Sequence, residues 1–562
     1  MKPGLRSPLL IVFACLAAVL SAQDQPRIRF TDTAAAAGVT VVNLCGGKET
    51  KDYIVEINGN GAAFFDYDHD DDMDLLVVNG STLDNMAGGG DPMAILYRND
   101  GDGAFSDVTE AGKLSRSGWG MGACVADYDN DGHQDVYLTA YGSDVLYKNN
   151  GAGAFVDATE KAGIANPGWA TNCAFGDYDL DGDVDLYVAN YLRFDLETVP
   201  KRGANELCKY MGRDVLCGPR GLEGEPDVLY RNNGDGTFSD VTKDSGAAQP
   251  AFYGFGVVFT DLNNDLYPEI YVANDSKPSF LFANRKNGTF SEEGLFAGVA
   301  LNAAGTEQAS MGVAVGDYNN DGSLDLFITN FSQDSNVLYQ NDGSAFFTDV
   351  TFPAGLGSSS MAYLGWGTSF VDLDNDGFLD LFIANGHVYP EIDSFEIESR
   401  YHEPRQVYRN LGDGRFQELT SEIAGPLVDN KSSRGAAFAD YDNDGDIDIL
   451  VVNMNEPPSL LRNDTASGHH WIGFRLAGTK SNRDGIGARV TLSAGGMRQT
   501  REVRSGGSYL SHNDFRVHFG LGRAEKIGAV EVRWPSGLAE TFPALETGKY
   551  HRLQEGEGTT ED

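Results

Sequence analysis

Basic residues are scarce in this chain of 562 residues. Lys and Arg number 42 against 83 Asp and Glu, which gives a formal net charge of −41 and a pI near 4.4. Because a polyanion binds through a positively charged surface, this balance excludes nucleic acid as a partner. Beyond Leu20 no stretch approaches the ~20 apolar residues that span a bilayer, so no transmembrane anchor is predicted.

Motifs of catalytic nucleophiles and phosphate-binding loops are missing as well. The sequence has no GxSxG, HExxH, CxxC or P-loop pattern, which favours a non-catalytic protein. The alternative is a calcium-dependent carbohydrate-active enzyme of the lyase or dehydratase type, in which a basic group removes a proton next to a carbonyl. Its candidate residues are His387, His402 and Arg405.

Residues 1–22 have the layout of a secretory signal peptide, with a basic start and an apolar stretch over Leu9–Leu20. A lipoprotein signal at Cys15 is the alternative, but the residues before Cys15 make a poor lipobox. We therefore predict a secreted or periplasmic protein.

Six cysteines are present, and five lie beyond the predicted signal peptide. Cys208 and Cys217 bracket one short polar loop, so an oxidising compartment favours a disulfide between them. Cys124 and Cys173 precede equivalent acidic phrases on predicted apolar strands. We interpret these two as buried free thiols, with a bridge between them as the alternative.

One acidic phrase of nine residues dominates the chain. Its seven copies begin at Asp66, Asp127, Asp177, Asp261, Asp317, Asp372 and Asp440. Each is followed by an apolar run such as LYVAN, by a phrase such as LYRN, and usually by a phrase such as FSDVT. The repeat is about 50 residues long with three or four short strands, which is typical of a propeller blade.

The repeats predict an all-β fold, a seven-bladed β-propeller over residues 23–467 with Ca-binding loops and insertions at about 191–226 and 386–405. The segment FTDTAAAAGV from Phe30 matches the last phrase of a repeat without its preceding parts. We expect it to complete the last blade and so to close the ring.

Oxygen-bearing side chains recur at positions 1, 3, 5 and 9 of the acidic phrase, usually with Gly at position 6. This pattern suits Ca²⁺, which binds hard oxygen ligands in a tight loop, better than it suits Mg²⁺. Ordinary Asp and Asn turns are the alternative, but packed carboxylates without a cation would repel one another. The sequence therefore predicts six or seven Ca²⁺ ions. The predicted ligands are Asp66, Asp68, Asp70 and Asp74; Asp127, Asp129, Asp131 and Asp135; Asp177, Asp179, Asp181 and Asp185; Asp261, Asn263, Asp265 and Glu269; Asp317, Asn319, Asp321 and Asp325; Asp372, Asp374, Asp376 and Asp380; and Asp440, Asp442, Asp444 and Asp448.

Two of these loops depart from the pattern. Asp71 and Leu266 stand where Gly is usual, so occupancy of the loops that begin at Asp66 and Asp261 stays open.

A small β-sandwich is predicted over residues 468–552, followed by an acidic tail at 553–562. This domain is basic, so we expect it to dock on the acidic propeller. One dense polar group within it is read as a strand and turn with satisfied hydrogen bonds, or else as a recognition site for a sugar or carboxylate. Its members are Arg501, Glu502, Arg504, Ser508, Tyr509, Ser511, His512 and Asn513.

Trp119, Trp169 and Tyr253 share one repeat position, eight residues before the first aspartate of an acidic phrase. Repeat geometry brings them to neighbouring places around the ring. Packing between blades is the first interpretation, and an aromatic surface for sugar rings or a protein partner is the alternative.

The acidic phrases resemble the FG-GAP or VCBS repeats of integrin α-subunit heads. CKYMGRDVLCGPRGL followed by DVLYRNNGDGTFSDVT is similar to bacterial members of the cartilage acidic protein family, and the segment from Gly485 through VEVRWPSG resembles an ASPIC/UnbV domain. The resemblance implies a calcium-binding propeller and supplies no activity. We predict an interaction or adhesion module for cell-surface, matrix or glycan partners.

Overall fold

The computed structural model describes residues 27–88, 90–101, 103–420 and 429–560, so the predicted signal peptide at 1–22 lies outside the described part. No helix in these ranges is long and apolar enough to cross a membrane. The helices are α1 (Ala34–Ala37), α2 (Leu83–Gly88), α3 (Thr109–Gly112), α4 (Thr159–Ala162), α5 (Gly294–Ala297) and α6 (Gly357–Ser360), with 3-10 turns at Ile54–Glu56, Glu206–Cys208 and Pro390–Ser394.

The repeats fold into short strands rich in β-branched and aromatic residues, which favour a pleated and buried backbone. These strands are β1 (Phe30–Asp32), β2 (Ala62–Phe65), β3 (Asp74–Val78), β4 (Ala94–Asn99), β5 (Phe105–Asp107), β6 (Trp119–Ala126), β7 (Asp135–Tyr141), β8 (Val145–Asn149), β9 (Phe155–Asp157), β10 (Ala170–Gly176), β11 (Asp185–Asn190), β12 (Lys209–Tyr210), β13 (Arg213–Asp214), β14 (Val228–Asn232), β15 (Phe238–Asp240), β16 (Gly254–Thr260), β17 (Glu269–Asn274), β18 (Phe280–Asn284), β19 (Phe290–Glu292), β20 (Val313–Gly316), β21 (Asp325–Ile328), β22 (Val337–Asn341), β23 (Phe347–Asp349), β24 (Gly365–Val371), β25 (Asp380–Asn385), β26 (Gln406–Asn410), β27 (Phe416–Glu418), β28 (Ser433–Ala439), β29 (Asp448–Asn453) and β30 (Ser459–Asn463).

Within the described residues the repeats form seven antiparallel sheets of four strands. Six sheets follow chain order, with the β12–β13 hairpin inserted in one of them, and the seventh has the order β28-β29-β30-β1. The first strand of each sheet lies beside that of the next, and β2 lies beside both β6 and β28. Phe30 of β1 lies opposite Asn463 of β30, so the N-terminal segment completes the last blade. The predicted all-β propeller of seven blades is confirmed.

One asparagine in each blade ties that blade to the blade before it. Asn232 donates from Nδ2 to the carbonyl oxygen of Val184 in its own blade (3.1 Å) and to that of Tyr128 in the preceding blade (2.7 Å). Asn99 donates to the carbonyl oxygen of Tyr441 (3.0 Å) and so joins the first blade to the last. The seven donors are Asn99, Asn149, Asn232, Asn284, Asn341, Asn410 and Asn463.

The predicted free thiols at Cys124 and Cys173 are wrong. These residues lie on β6 and β10, the innermost strands of neighbouring blades, and form a disulfide with Cα atoms 5.8 Å apart. Equivalent positions of successive repeats face each other across a blade boundary, which brings the two Cα atoms within bridging distance. Cys208 and Cys217 are also paired, and Cys45 is a buried free thiol.

Aromatic residues at the shared repeat position lie in the interior. Trp119 and Trp169 are buried, and Tyr253 is 4% exposed, within one apolar cluster near the ring axis. Packing, the first interpretation of this position, is therefore confirmed for all three residues.

The chain after the repeats forms the predicted small β-sandwich. A three-stranded sheet has the order β34-β31-β37 and a four-stranded sheet the order β33-β32-β35-β36, and the two share an apolar core. The strands are β31 (His470–Ala477), β32 (Arg489–Ala494), β33 (Met497–Glu502), β34 (Val517–Gly522), β35 (Val530–Arg533), β36 (Ala539–Phe542) and β37 (Tyr550–Gln554).

Residues 553–560 differ from the predicted acidic tail, because they belong to this sandwich. Leu553 lies in β37, which runs parallel to β31. The Glu555 carboxylate accepts the backbone N–H groups of Thr479, Lys480 and Ser481 at 2.7 to 2.9 Å. Burial opposes the charged form, but the hydroxyl of Ser536 and these three N–H groups donate to the carboxylate and lower the pKa of Glu555 to about 2. The carboxylate is thus a structural acceptor of the domain.

A segment of the sandwich fills the central channel of the propeller, and we call residues 505–513 the plug. Its backbone bonds join Ser508 to Val313 of β20 in both directions (2.8 and 2.9 Å). Two further backbone bonds join Leu510 to Ala123 of β6 (3.2 Å) and His512 to Ala62 of β2 (2.9 Å). Side chains of the predicted polar group also form hydrogen bonds between the plug and the propeller. Ser508 Oγ accepts the N–H of Thr368, and Tyr509 donates its hydroxyl to the carbonyl of Asn58. The strand-and-turn interpretation of that group fits Ser508 and Tyr509, whereas His512 Nε2 is buried and has no hydrogen-bond partner among the described residues.

Candidate functional site

Each acidic phrase forms the turn between the first and second strands of its blade. In the third blade, Asp177 comes directly after β10 and Asp185 is the first residue of β11, and the other six copies have the same placement. All seven loops therefore lie on one face of the ring, which we call the loop face. The two insertions follow second strands and lie on the opposite face, the insertion face.

Backbone N–H groups hold each loop in shape. In the third loop, Asp177 accepts the N–H groups of Asp181 (3.1 Å) and Gly182 (3.0 Å). Asp185 accepts those of Tyr178 (3.1 Å) and Asn232 (2.9 Å). Gly182 has a φ of 95°, a conformation that glycine adopts at no steric cost. Positions 1, 6 and 9 of the phrase thus serve the geometry of the turn.

Three carboxylates converge in five of the loops. In each of these, one oxygen from every residue lies within 4.8 Å of the others, a spacing that a single metal ion could bridge. The groups are Asp66, Asp68 and Asp70; Asp127, Asp129 and Asp135; Asp177, Asp179 and Asp185; Asp372, Asp374 and Asp380; and Asp440, Asp442 and Asp448.

At position 3 of the phrase lie buried carboxylate oxygens that accept no hydrogen bond from the protein. One side-chain oxygen each of Asp68, Asp129, Asp179 and Asp374 is buried and has no hydrogen-bond partner among the described residues, while the other oxygen of Asp374 lies 3.4 Å from Arg409. An unpaired buried carboxylate oxygen is costly, so these atoms fit a cation. Burial and the charge of Asp181 raise the pKa of Asp177 to about 8. The donor set is therefore suited to a hard divalent ion.

Two loops have a different donor set. The loop at Asp261 has Asn263 at position 3, whose amide donates to Glu269 (2.8 Å). Arg533 of the sandwich forms an ion pair with Asp261, and Lys286 lies 3.0 Å from Asp265. Cationic side chains thus pair with two carboxylates of this loop, as Lys148 does with Asp129 and Asp131 of the second loop.

The loop at Asp317 has Asn319 at position 3. Its amide nitrogen donates to Asp321 (2.8 Å), which leaves the amide oxygen facing the loop backbone, where it accepts the Asp321 N–H (3.1 Å). This loop carries three carboxylates at positions 1, 5 and 9, one fewer than each of the five loops above.

The basic sandwich docks on the loop face, as its charge predicts. Arg475 lies 3.0 Å from Asp66, the first residue of the first loop. Arg516 donates to the carbonyl oxygen of Asp440 (2.6 Å), and His469 lies 2.8 Å from that of Asp374. The acidic loops are therefore also the contact surface between the two domains.

The residues predicted for an enzymatic alternative have separate surroundings. His387 is buried, and burial lowers its pKa to about 3. His402 pairs with Glu456 (3.3 Å) at the surface, whereas Arg405 is buried and donates to Asn453. The three side chains thus differ in exposure and in these partners, so the geometry does not favour a shared catalytic site.

The repeat region places the chain in a known family. The model of the FG-GAP-like repeat matches residues 66–138, 127–188, 213–272, 261–328, 317–383 and 397–451, which together exceed half of the chain. The chain belongs to this family of FG-GAP-repeat proteins. The ASPIC and UnbV model matches residues 478–560.

Among curated proteins, the chain is similar to cartilage acidic protein 1. It is 28% identical over 340 residues to the proteins of Mus musculus and Homo sapiens. The match covers 59% of this chain and 49% and 48% of the two relatives, so the chain spans about half the length of the curated relatives it matches. The resemblance read from the sequence is confirmed.

Solved structures show a more distant likeness. BBS1N in complex with ARL6DN is 10% identical, with a TM-score of 0.40, over 77% of this chain and 96% of that chain. An Agrocybe aegerita lectin is 16% identical, with a TM-score of 0.37, over 67% and 88%. Neither likeness bears on the ligand or partner of this protein.

Proposed function

We propose that this protein is an exported, calcium-loaded β-propeller that acts as a non-catalytic interaction module for extracellular protein or glycan partners. The observation that carries the proposal is the set of buried carboxylate oxygens at position 3 that lack a protein partner. Ca²⁺ accepts six to eight oxygen ligands in flexible geometry, whereas Mg²⁺ demands a near-ideal octahedron. A loop that offers carboxylates from alternate residues suits Ca²⁺ better.

Occupancy is expected to follow the donor sets. The five loops with three converging carboxylates are the strongest candidates, and the loop at Asp317 adds an amide oxygen from Asn319. The loop at Asp261 is the weakest because Asn263 replaces the carboxylate at position 3 and donates its amide to Glu269, while Arg533 and Lys286 pair with Asp261 and Asp265. We therefore propose five or six Ca²⁺ ions, one fewer than the six or seven predicted from the sequence.

Export is supported by two features. Disulfides persist in oxidising compartments, and both the Cys124–Cys173 and the Cys208–Cys217 pairs have Cα atoms close enough for a bridge. The predicted signal peptide over residues 1–22 agrees with this. N-terminal sequencing of protein recovered from the periplasm or medium checks the expected cleavage near Ala22.

Chelation tests the calcium proposal directly. Purified mature protein should contain five or six Ca²⁺ by elemental analysis, and EDTA should lower its melting temperature because ions that bind only the folded state stabilise it. Protein that contains no calcium, and whose melting temperature EDTA leaves unchanged, would contradict the proposal.

Turnover tests the non-catalytic assignment. Calcium-loaded protein is incubated with a panel of polysaccharides and envelope extracts, and retained ligands and new products are measured by mass spectrometry in the same tubes. Retention without new products is the expected result. New products that depend on the protein would favour the carbohydrate-active enzyme instead.

A further inference from the structure

A cavity of about 650 Å³ lies at the mouth of the central channel on the insertion face. Its floor includes Phe255, Met311 and Trp366, each six residues before the first aspartate of an acidic phrase. The plug seals it from below, because the Tyr509 ring lies 4.7 Å from that of Trp366, centroid to centroid. The volume falls in the range of about 300–1,000 Å³ that small-molecule sites occupy.

Aromatic rings from one blade and from both insertions line the wall. Tyr210, from the disulfide-closed insertion, lies 6.3 Å from Phe331 and 5.4 Å from Tyr389 between ring centroids. The two insertions are braced against each other by an ion pair between Arg202 and Glu391 (2.8 Å). The wall is therefore a fixed apolar surface that a ligand can meet without reordering it.

One polar group in this cavity lacks a partner. Asn58 lines the cavity with 1% of its surface exposed, and its Nδ2 has no hydrogen-bond partner among the described residues. A buried amide donor without an acceptor is costly, so the group is matched to an acceptor that arrives with a ligand. Gln308 and Gln333 add neutral amides to the same lining.

Charge selects the ligand class. Arg434 is buried beneath the floor, over the Trp366 ring (4.2 Å to its centroid), and donates to the carbonyl oxygens of Ile57 (2.9 Å) and Ser433 (2.8 Å). A cationic ligand would be repelled by the positive charge of Arg434. The Trp366 ring is also unavailable for a second cation, because Arg434 already lies over it. The rim carries Glu206, Asp275, Glu307 and Asp334 against Lys209 and Arg220, so an anionic ligand would meet an excess of acidic groups there. Because Arg434 opposes a cation below the floor and the acidic rim opposes an anion, a neutral ligand is favoured.

We infer that this cavity binds a neutral sugar residue. A sugar presents a C–H face to aromatic rings and hydroxyl groups that both donate to carboxylates and accept from amides such as Asn58 and Gln308. The inference rests on the proposed interaction function and deepens it, since it names the ligand class and the place of binding.

Ligand-observed NMR with calcium-loaded mature protein tests the inference. The probes are neutral methyl glycosides of glucose, galactose, xylose and N-acetylglucosamine, with tetralysine and glucuronate as charged probes. The variants are Asn58→Leu and Phe331→Ala. The control is Phe352→Ala, which removes an exposed ring (63%) outside the cavity lining.

At least one neutral glycoside should bind saturably, and both cavity variants should weaken that binding tenfold or more, whereas Phe352→Ala should leave it unchanged. Asn58→Leu should not lower the melting temperature, because an apolar group of similar shape replaces an unpaired amide. Binding of no neutral glycoside, equal binding by all variants, or tighter binding of tetralysine or glucuronate would each overturn the inference. Calcium content and product formation, measured on the same samples, report separately on the proposed function.

Discussion

Aspartates of one acidic loop differ in what their oxygens contact. In the third loop, Asp177 and Asp185 accept backbone N–H groups, whereas one oxygen of Asp179 has no protein partner. Positions 1 and 9 therefore shape the turn, and position 3 is free to serve an ion. This division of roles separates metal binding from folding at the level of single residues.

Asp179→Asn should remove one equivalent of calcium and lower the melting temperature in calcium buffer. At free calcium a hundred times the dissociation constant, loss of one site costs about 2.7 kcal/mol. In EDTA the variant should be at least as stable as the parent, because burial and the charge of Asp181 already raise the pKa of Asp179. Elemental analysis and calorimetry measure both effects.

Asp235→Asn is the matched control for this change. Asp235 lies in an exposed turn, where it accepts the backbone N–H of Thr237 (3.1 Å). Calcium content should stay the same in this variant. If Asp179→Asn retained the full calcium content, position 3 would not be a ligand.

The plug carries a buried histidine that predicts a pH dependence of stability. Burial lowers the pKa of His512 to about 3, while its Nδ1 accepts the N–H of Gly506 (3.1 Å). For a base whose folded pKa is lowered, stability is present above the unfolded pKa, about 6.5, and is lost as pH falls below it. The loss approaches about 1.4 kcal/mol per pH unit for each such group.

His512→Asn should flatten this dependence between pH 6.5 and 4.5, because asparagine keeps an acceptor for Gly506 without taking a proton. Denaturant titrations at several pH values measure the slope. His551→Asn, at a half-buried histidine of the sandwich outside the plug, is the control and should leave the slope as it is. Parallel slopes for parent and His512→Asn would show that the plug does not sense pH through this residue.

At the scale of the elements, the asparagine that ends the third strand of each blade joins neighbouring blades. Asn232 is 2% exposed and donates to carbonyl oxygens in two blades, whereas its neighbour Asn233 is exposed and bonds within its own turn. The pair offers two identical side chains one residue apart with different contacts.

Asn232→Ala should lower the free energy of unfolding by about 1–3 kcal/mol, since two buried carbonyl oxygens lose their donor. Asn233→Ala should change it by less than about 0.5 kcal/mol. Chemical denaturation of the two variants side by side gives both values. Equal losses would mean that the bond between blades adds no stability of its own.

Strands, blades and acidic loops follow from the sequence because each is encoded within one repeat. The phrase from Asp177 to Asp185 contains the whole turn, and the apolar run after it contains the next strand. Contacts between blades are not encoded within one repeat. The Cys124–Cys173 bridge depends on which strands become neighbours when the ring closes, and the free-thiol prediction failed for that reason. The role of Asn232 was missed likewise, although its recurrence in every blade was visible.

At the scale of the whole molecule, small residues on the innermost strands let the plug approach the propeller backbone. A Cβ atom on Gly61 would lie 1.6 Å from the carbonyl oxygen of Leu510. The position five residues before the acidic phrase is glycine in six of the seven blades. These residues are Gly61, Gly122, Gly256, Gly312, Gly367 and Gly435. The channel therefore has backbone walls that can pair with the plug.

Gly61→Ala should destabilise the protein by more than about 3 kcal/mol, beyond the usual cost of overpacking, because a backbone atom rather than a flexible side chain must move. Gly528→Ala is the control, since the nearest atom to its added Cβ would be 3.5 Å away. Thermal unfolding compares the two variants. Similar melting temperatures would contradict the close fit of the plug.

Docking of the two domains could be predicted only in part. The charge difference indicated that the basic sandwich meets the acidic ring, and Arg475 and Arg516 do contact its loops. Insertion of residues 505–513 into the channel could not be read from composition, because the bonds of Leu510 and His512 are made by main-chain atoms, which every residue carries. The cavity above Tyr509 was missed because its lining comes from many repeats and both insertions.

The plug follows all seven blades in the sequence, so the ring of blades is synthesised before the segment that fills its channel. Until residues 505–513 are synthesised, Val313, Ala123 and Ala62 on the inner strands lack the backbone partners that the plug supplies. Such groups are costly to bury and open to unwanted strand pairing. A chain that ended before Ser505 would therefore keep these backbone groups unpaired around its glycine-lined channel.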